Sequence, residues 1–194
     1  MTKKKIIVGA TGASGLPLLA ECLKMIRASD EFSASLLMTR GAELTLRHEL
    51  DMEPEEIRPL ADENFSIDDI GAGPASGSYP TAGMLIVPCS MKTLAGIRSG
   101  YADNLLLRSA DVMLKEKRPL VLAVRESPLS PIHLRNMQEL ATLPNVHIVP
   151  PMLVFYNKPQ TIEAMVQQIA ARLLMPFGLQ AKEFCSWQGM TRNI

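Results

Sequence analysis

Gly9-Ala10-Thr11-Gly12-Ala13-Ser14-Gly15, lying directly behind the apolar run Ile6-Ile7-Val8, leaves the backbone few courses. A β-branched run that ends in glycines and passes into Leu16, Leu19, Cys22, Leu23 and Ile26 reads as strand, tight turn and helix. Glycines let the backbone come close to a ligand. The first turn of a helix offers N–H groups without intrahelical acceptors, at the positive end of its dipole. Such a turn holds phosphate, and the hydroxyls of Thr11 and Ser14 are expected to add donors. The spacing is G-x-x-G-x-x-G rather than the G-x-G-x-x-G of dinucleotide folds, so it does not call for NAD. The same heptapeptide also suits a plain βα turn with no ligand.

Strand-like and helical patterns then alternate. Phe32 to Met38 reads as a strand and Gly41 to about Leu50 as a helix. Asp51 to Asp69, polar and interrupted by Pro54 and Pro59, is expected to be irregular, and Gly71 to Ser78 to be a long loop. Met84 to Val87 is the next buried strand, broken by Pro88-Cys89-Ser90-Met91-Lys92-Thr93. Asn104 to Lys115 is a helix and Leu120 to Val124 a strand. Ser130-Pro131 caps a further helix, Val146 to Val149 is a strand, and Thr161 caps an amphipathic helix carrying Ile162, Met165, Val166, Ile169, Ala170 and Leu173. The alternation predicts an α/β fold, a Rossmann-like or flavodoxin-like three-layer arrangement with a mostly parallel sheet.

At 194 residues one domain is expected, residues 1–194, with a C-terminal tail from about residue 176. Lys plus Arg and Asp plus Glu each number 20, so the net charge is zero and no nucleic-acid or membrane-surface footprint is indicated. Lys3-Lys4-Lys5 reads as a solvated lead into the first strand. Cys22, Cys89 and Cys185 are far apart and lack C-x-x-C spacing, which suits a reducing compartment. No apolar run reaches membrane-span length and the first residues lack a signal-peptide core, so the cytoplasm is the expected location.

Ligands bind parallel sheets at the carboxyl ends of the strands. That rule brings Gly9 to Gly15, Thr39, Ser90 to Thr93 and Arg125-Glu126 to one edge, since each follows a strand. Ser90 to Thr93 supplies hydroxyls, a cation and fresh N–H groups suited to phosphate or the polar edge of a flavin-like ring, or equally to a turn that opens a helix. Glu126 suits proton transfer, although an exposed loop pair fits Arg125-Glu126 as well. Arg108, Asp111 and Lys115 share a helix face, with Asp111 and Lys115 spaced for an i, i+4 ion pair. His133 and His147 are expected to be structural, and no nucleophile–histidine or metal-ligand arrangement can be assembled from His48, His133 and His147.

Thr11 to Gly15, Pro88 to Ala95, Ala110-Asp111-Val112 with Leu114-Lys115-Glu116, Val124-Arg125-Glu126, Ile132-His133-Leu134 with Asn136-Met137, and Phe155-Tyr156 together closely resemble the UbiX/Pad-type flavin prenyltransferases, from about Lys5 to Trp187. Met91-Lys92-Thr93 resembles the branch associated with aromatic-acid decarboxylases. The resemblance implies an enzyme that joins dimethylallyl phosphate to reduced FMN at N5 and C6 without a metal. The prenylated FMN would go to a UbiD-type decarboxylase, and the enzyme would be a homododecamer. It assigns FMN binding to Gly12, Ala13, Ser14, Thr39, Ser90, Met91, Lys92, Thr93 and Arg125. Dimethylallyl phosphate falls to Tyr156, Arg172, Lys115, Arg108 and Trp187, and catalysis to Glu126, Glu49, Lys115 and Ser14. Thr39 replaces the family's usual serine, and Ser186 stands where many members carry Arg before the C-terminal Trp. Two other readings remain open: a carrier of FMN, and a flavin-dependent cysteine decarboxylase. Against the second, Pro74-Ala75-Ser76-Gly77-Ser78 departs from the Pro-Ala-Ser-Ala-Asn-Thr of that class.

Overall fold

The computed structural model describes residues 2–182 and 184–189. Six parallel strands form one sheet: β1 (Lys4–Ala10), β2 (Phe32–Met38), β3 (Glu63–Phe65), β4 (Gly83–Cys89), β5 (Leu120–Val124) and β6 (Val146–Ile148). Their order is β3-β2-β1-β4-β5-β6, the doubly wound Rossmann-like order. The connections are α1 (Leu16–Arg27), α2 (Arg40–Leu50), the single turn α3 (Pro54–Ile57), α4 (Met91–Ser99), α5 (Leu105–Lys115), α6 (Pro131–Ala141) and α7 (Ile162–Leu174).

Period-two alternation divides the core. Ile6, Val8, Leu85, Val87 and Val121 pack on one face with Leu19 and Leu23 of α1 and Ala170 and Leu174 of α7. Ile7, Met84, Ile86, Leu120 and Leu122 pack on the other with Leu94 of α4 and Leu106, Ala110 and Met113 of α5. Burial on both faces explains why these strands read as continuous apolar runs.

The structure corrects three expectations. The segment from Asp51 to Asp69 is not wholly irregular: it carries α3, a 3-10 turn at Arg58–Leu60 and the edge strand β3. Asp62 Oδ2 accepts from Ala34 N at 2.8 Å, and Ser35, Leu36 and Leu37 pair with Glu63, Asn64 and Phe65. Three residues supply too few side chains to show a period, so pairing rather than pattern defines β3. Lys5 is not simply solvated. Its Nζ lies 2.6 Å from Glu63 Oε1 and 4.9 Å from the centre of the Tyr79 ring. Burial alone would raise the Glu63 pKa, but bonds from Lys5, Tyr79 and Ser35 outweigh it and hold the carboxyl below its ordinary range. The third correction concerns Asp111, which pairs with Arg108 while Lys115 pairs with Glu116; the i, i+4 pair is not formed.

At the carboxyl edge the β1–α1 turn lies against the start of α2. A Cβ on Gly41 would stand 3.0 Å from Gly12 Cα, and one on Gly12 would stand 3.0 Å from Gly41 Cα. The Gly12 direction therefore faces a second backbone, and glycine there permits the two turns to meet. Gly41→Ala is expected to destabilise the fold by roughly 1–3 kcal/mol through overpacking, a Tm loss of about 2–10 °C. An unchanged thermal transition would contradict this close approach.

Candidate active site

Four turns meet at the carboxyl edge, after β1, β2, β4 and β5. Strands β1 and β4 are neighbours whose connections run to opposite faces, so the crevice between them is the topological switch point. Thr11 spans it. Its N–H and its hydroxyl donate to Pro88 O at 3.2 and 2.9 Å, and the same Oγ1 accepts from Ser90 N at 2.8 Å. The Thr11 side chain is buried and occupied in this way, so it offers phosphate no hydroxyl. Ser14, by contrast, is exposed at the rim.

The start of α1 also differs from the expectation of free N–H groups. The Glu49 carboxylate, from the last turn of α2, accepts from Gly15 N at 3.0 Å and from Leu16 N at 2.9 Å. A carboxylate thus already serves this helix dipole. Gly15 itself has φ 124°, a conformation that favours glycine.

Thr39 and Ser90 act as N-caps. Thr39 Oγ1 accepts from Ala42 N at 3.2 Å, and Ser90 Oγ accepts from Thr93 N at 3.3 Å. Their caps orient the starts of α2 and α4 toward the crevice, where the first-turn N–H groups of Arg40, Gly41, Met91 and Lys92 have no intrahelical acceptors. The Met91 side chain belongs to the core, and the Thr93 hydroxyl faces Ser90 Oγ at 3.1 Å. Of the Ser90 to Thr93 set, Lys92 alone presents an exposed side chain. One extra residue in β4 opposite β5, between Ile86 and Cys89, re-aims this turn, and the Val87–Pro88 bond within it is cis. Cys89 is buried and its thiol is pushed up to about 12, so it is no nucleophile at this edge.

Arg125 N donates to Cys89 O at 3.0 Å, which fixes the β5 turn beside the β4 turn. The Arg125 and Glu126 side chains are exposed, and Glu126 Oε1 accepts only from Ser127 N, at 3.0 Å, among the described residues. The donor set at this edge is hydroxyls, N–H groups and the cations Lys92 and Arg125. It matches the phosphate and the polar ring edge of a flavin mononucleotide, so these residues fit FMN. Among the described residues no group of three His, Cys, Asp or Glu could hold a metal.

The assigned phosphate-holding residues divide. Tyr156 and Arg172 line one cavity of about 240 Å³ with Val154, Gln168 and Phe184, and the Tyr156 ring meets that of Trp187 edge-on at 5.3 Å. Lys115 and Arg108 lie elsewhere. Helix α5 starts at the carboxyl edge, where Leu105 N donates to Ile67 O, and runs roughly 16 Å toward the amino edge. There Lys115 sits beside Gly77 and pairs with Glu116, while Arg108, in the first turn of the same helix, is bound to Ala75 O and Asp111. One chain does not bring Lys115 to the turns that carry Ser14 and Arg125.

Sequence reasoning missed the Thr11 bridge, the Glu49 cap on α1, and Gln168, a buried amide within an otherwise apolar helix face. His133 is structural as expected, since its Nδ1 accepts from Ser130 N at 3.2 Å in a capping box. Thr11→Val is expected to strand the Ser90 N–H, lowering stability by roughly 1–3 kcal/mol and weakening FMN binding. Thr11→Ser, which keeps the oxygen, should stay near wild type in both. Thermal unfolding and flavin titration check the pair; equal behaviour of Val and Ser would remove the bridge from the account.

Comparison with known proteins identifies a flavin-binding family. The Flavoprotein family model matches residues 1–174. A probable UbiX-like flavin prenyltransferase of Sedimentibacter hydroxybenzoicus is 46% identical over 185 residues, covering 95% of this chain and 97% of its own. AnUbiX, solved in complex with FMN and dimethylallyl pyrophosphate, is 44% identical with a TM-score of 0.94, covering 98% of this chain and 100% of that one. A dodecameric FMN-dependent UbiX-like decarboxylase from Escherichia coli O157:H7 is 46% identical with a TM-score of 0.93, covering 95% and 100%. The chain belongs to the flavoprotein family and, within it, to the UbiX-like flavin prenyltransferases.

Proposed function

We propose that this chain transfers a dimethylallyl group from a dimethylallyl phosphate ester to reduced FMN. The observation that carries the reading is the full-length likeness to AnUbiX, solved with FMN and dimethylallyl pyrophosphate, joined to a carboxyl edge whose donors suit FMN. Ser14, Thr39, Ser90 to Thr93 and Arg125 hold the flavin against the switch-point crevice. When bound, reduced FMN supplies N5 and C6, the atoms to which the family resemblance assigns the new bonds.

The protein's own part is electrostatic and protective. Arg172 and Lys115 set positive charge against the leaving phosphate, and the Tyr156 hydroxyl, which donates to Cys185 O in this structure, turns its one hydrogen to that phosphate when the ester binds. Tyr156 and Trp187 shield the allylic carbon from water. Glu126 accepts the proton released from the flavin ring as the second bond forms. Glu49, while it caps α1, keeps that helix start from competing for the substrate phosphate. Because Lys115 lies at the amino edge, it acts on the site of another copy in a homododecamer, together with Arg108 two turns earlier on the same helix face. The exposed Met152, Leu153 and Phe155 give such an assembly an apolar surface to bury. The product passes to a UbiD-type decarboxylase, and residues 1–194 act as one flavin-binding domain.

Anaerobic incubation with reduced FMN and either dimethylallyl phosphate or dimethylallyl pyrophosphate, followed by mass analysis of the flavin, tests the reading. A flavin heavier by one dimethylallyl unit is expected, and the better donor defines the leaving group. FMN bound but unchanged with both donors would leave a carrier instead. Glu126→Gln is expected to keep FMN affinity while slowing product formation by about 10²–10⁴-fold. A wild-type rate would remove Glu126 from the proton step.

A further inference from the structure

We propose that Gln168 is a positioning residue that seats the C-terminal segment and, through it, Trp187 at the mouth of the cavity holding Tyr156 and Arg172. Gln168 is 4% exposed on α7. Its Oε1 accepts from Cys185 N at 2.9 Å and its Nε2 donates to Cys185 O at 2.9 Å. The side-chain amide thereby pairs with both backbone groups of one residue, as a neighbouring strand would. The same Nε2 lies 3.4 Å from the Tyr156 hydroxyl, which itself donates to Cys185 O at 3.2 Å.

One residue on each side of this junction sets the consequence. Phe184 packs against the main core and lines the cavity, while Trp187 meets the Tyr156 ring. Ser186 contributes nothing to the clamp, since its Oγ accepts from Gln188. The amide is the only side chain among the described residues that bonds both backbone groups of Cys185. A leucine of similar size cannot replace it, and a glutamate carboxylate would face the Cys185 carbonyl oxygen with like charge. A protonated glutamic acid, with one donor and one acceptor, restores the pattern. The substrate consequence rests on the proposed function, in which this cavity takes the dimethylallyl phosphate.

Trp187 is the single tryptophan of the chain, so its emission reports the docked segment. The FMN-loaded full chain is compared with Gln168→Leu and Gln168→Glu by iodide quenching of Trp emission and by steady-state kinetics. In Gln168→Leu, quenching should rise about twofold or more and KM for dimethylallyl phosphate about tenfold, with FMN affinity unchanged. Gln168→Glu should match the Leu variant at pH 8 and regain wild-type shielding on acidification, which Gln168→Leu should not. Unchanged quenching in both variants, or raised quenching with an unchanged KM, would overturn the proposal. A wild-type protein that forms no adduct would instead overturn the prenyltransferase reading, and the substrate role of Gln168 with it.

Discussion

Thr11 joins two strands at the point where the sheet's topology pulls them apart. Ladder pairing between β1 and β4 ends at Gly9 and Ile86, and the two chains then leave for helices on opposite faces. A parallel sheet of this order opens a crevice there, and the exposed backbone groups at its floor need partners. One threonine supplies them through bonds to Pro88 O and Ser90 N. The β4 turn is thereby fixed against the β1 turn, Arg125 N ties the β5 turn to Cys89 O, and the Gly12–Gly41 approach fixes the β2 turn. The floor is complete without a ligand, and the rim is left with polar groups that face outward.

The two edges of the sheet are accordingly unlike. At the amino edge Lys5, Ser35, Glu63 and Tyr79 satisfy one another, and Arg118 donates to Gly77 O and Tyr79 O. Those groups hold the 71–79 loop in place. At the carboxyl edge Ser14, Lys92, Arg125 and Glu126 stay exposed. This asymmetry, more than any single motif, suits the carboxyl edge to the flavin site proposed here. It also explains why Lys115 cannot join Arg125 within one chain: the helix that carries it is a crossover, and a crossover delivers its last turn to the amino edge.

Much of this was legible in the residues. Strand β5 was expected over Leu120–Val124 and is found there, and the caps at Ser130 and Thr161 both form, because apolar period and N-cap chemistry are local. The convergence of the turns after β1, β2, β4 and β5 followed from the sheet rule. What escaped depends on partners distant in sequence. Thr11 reads as a phosphate donor until Pro88 and Ser90 are seen against it, and Glu49 gives no sign that it caps a helix 33 residues earlier. Gln168 looks like an ordinary polar position on α7 until Cys185 meets it. Each side chain has a chemistry legible in sequence, but the fold decides whether protein or ligand satisfies it.

Amide hydrogen exchange with and without FMN tests the cradle most directly. Binding should slow exchange together at three turns, at Gly12 and Ser14 after β1, 40–41 after β2 and 91–92 after β4, while the Ala13 amide, already bonded to Thr11 O, and the Gly15 and Leu16 amides, already bonded to Glu49, change little. Protection confined to Gly15 and Leu16, or absent from all three turns, would contradict a flavin site built on the bridged switch point.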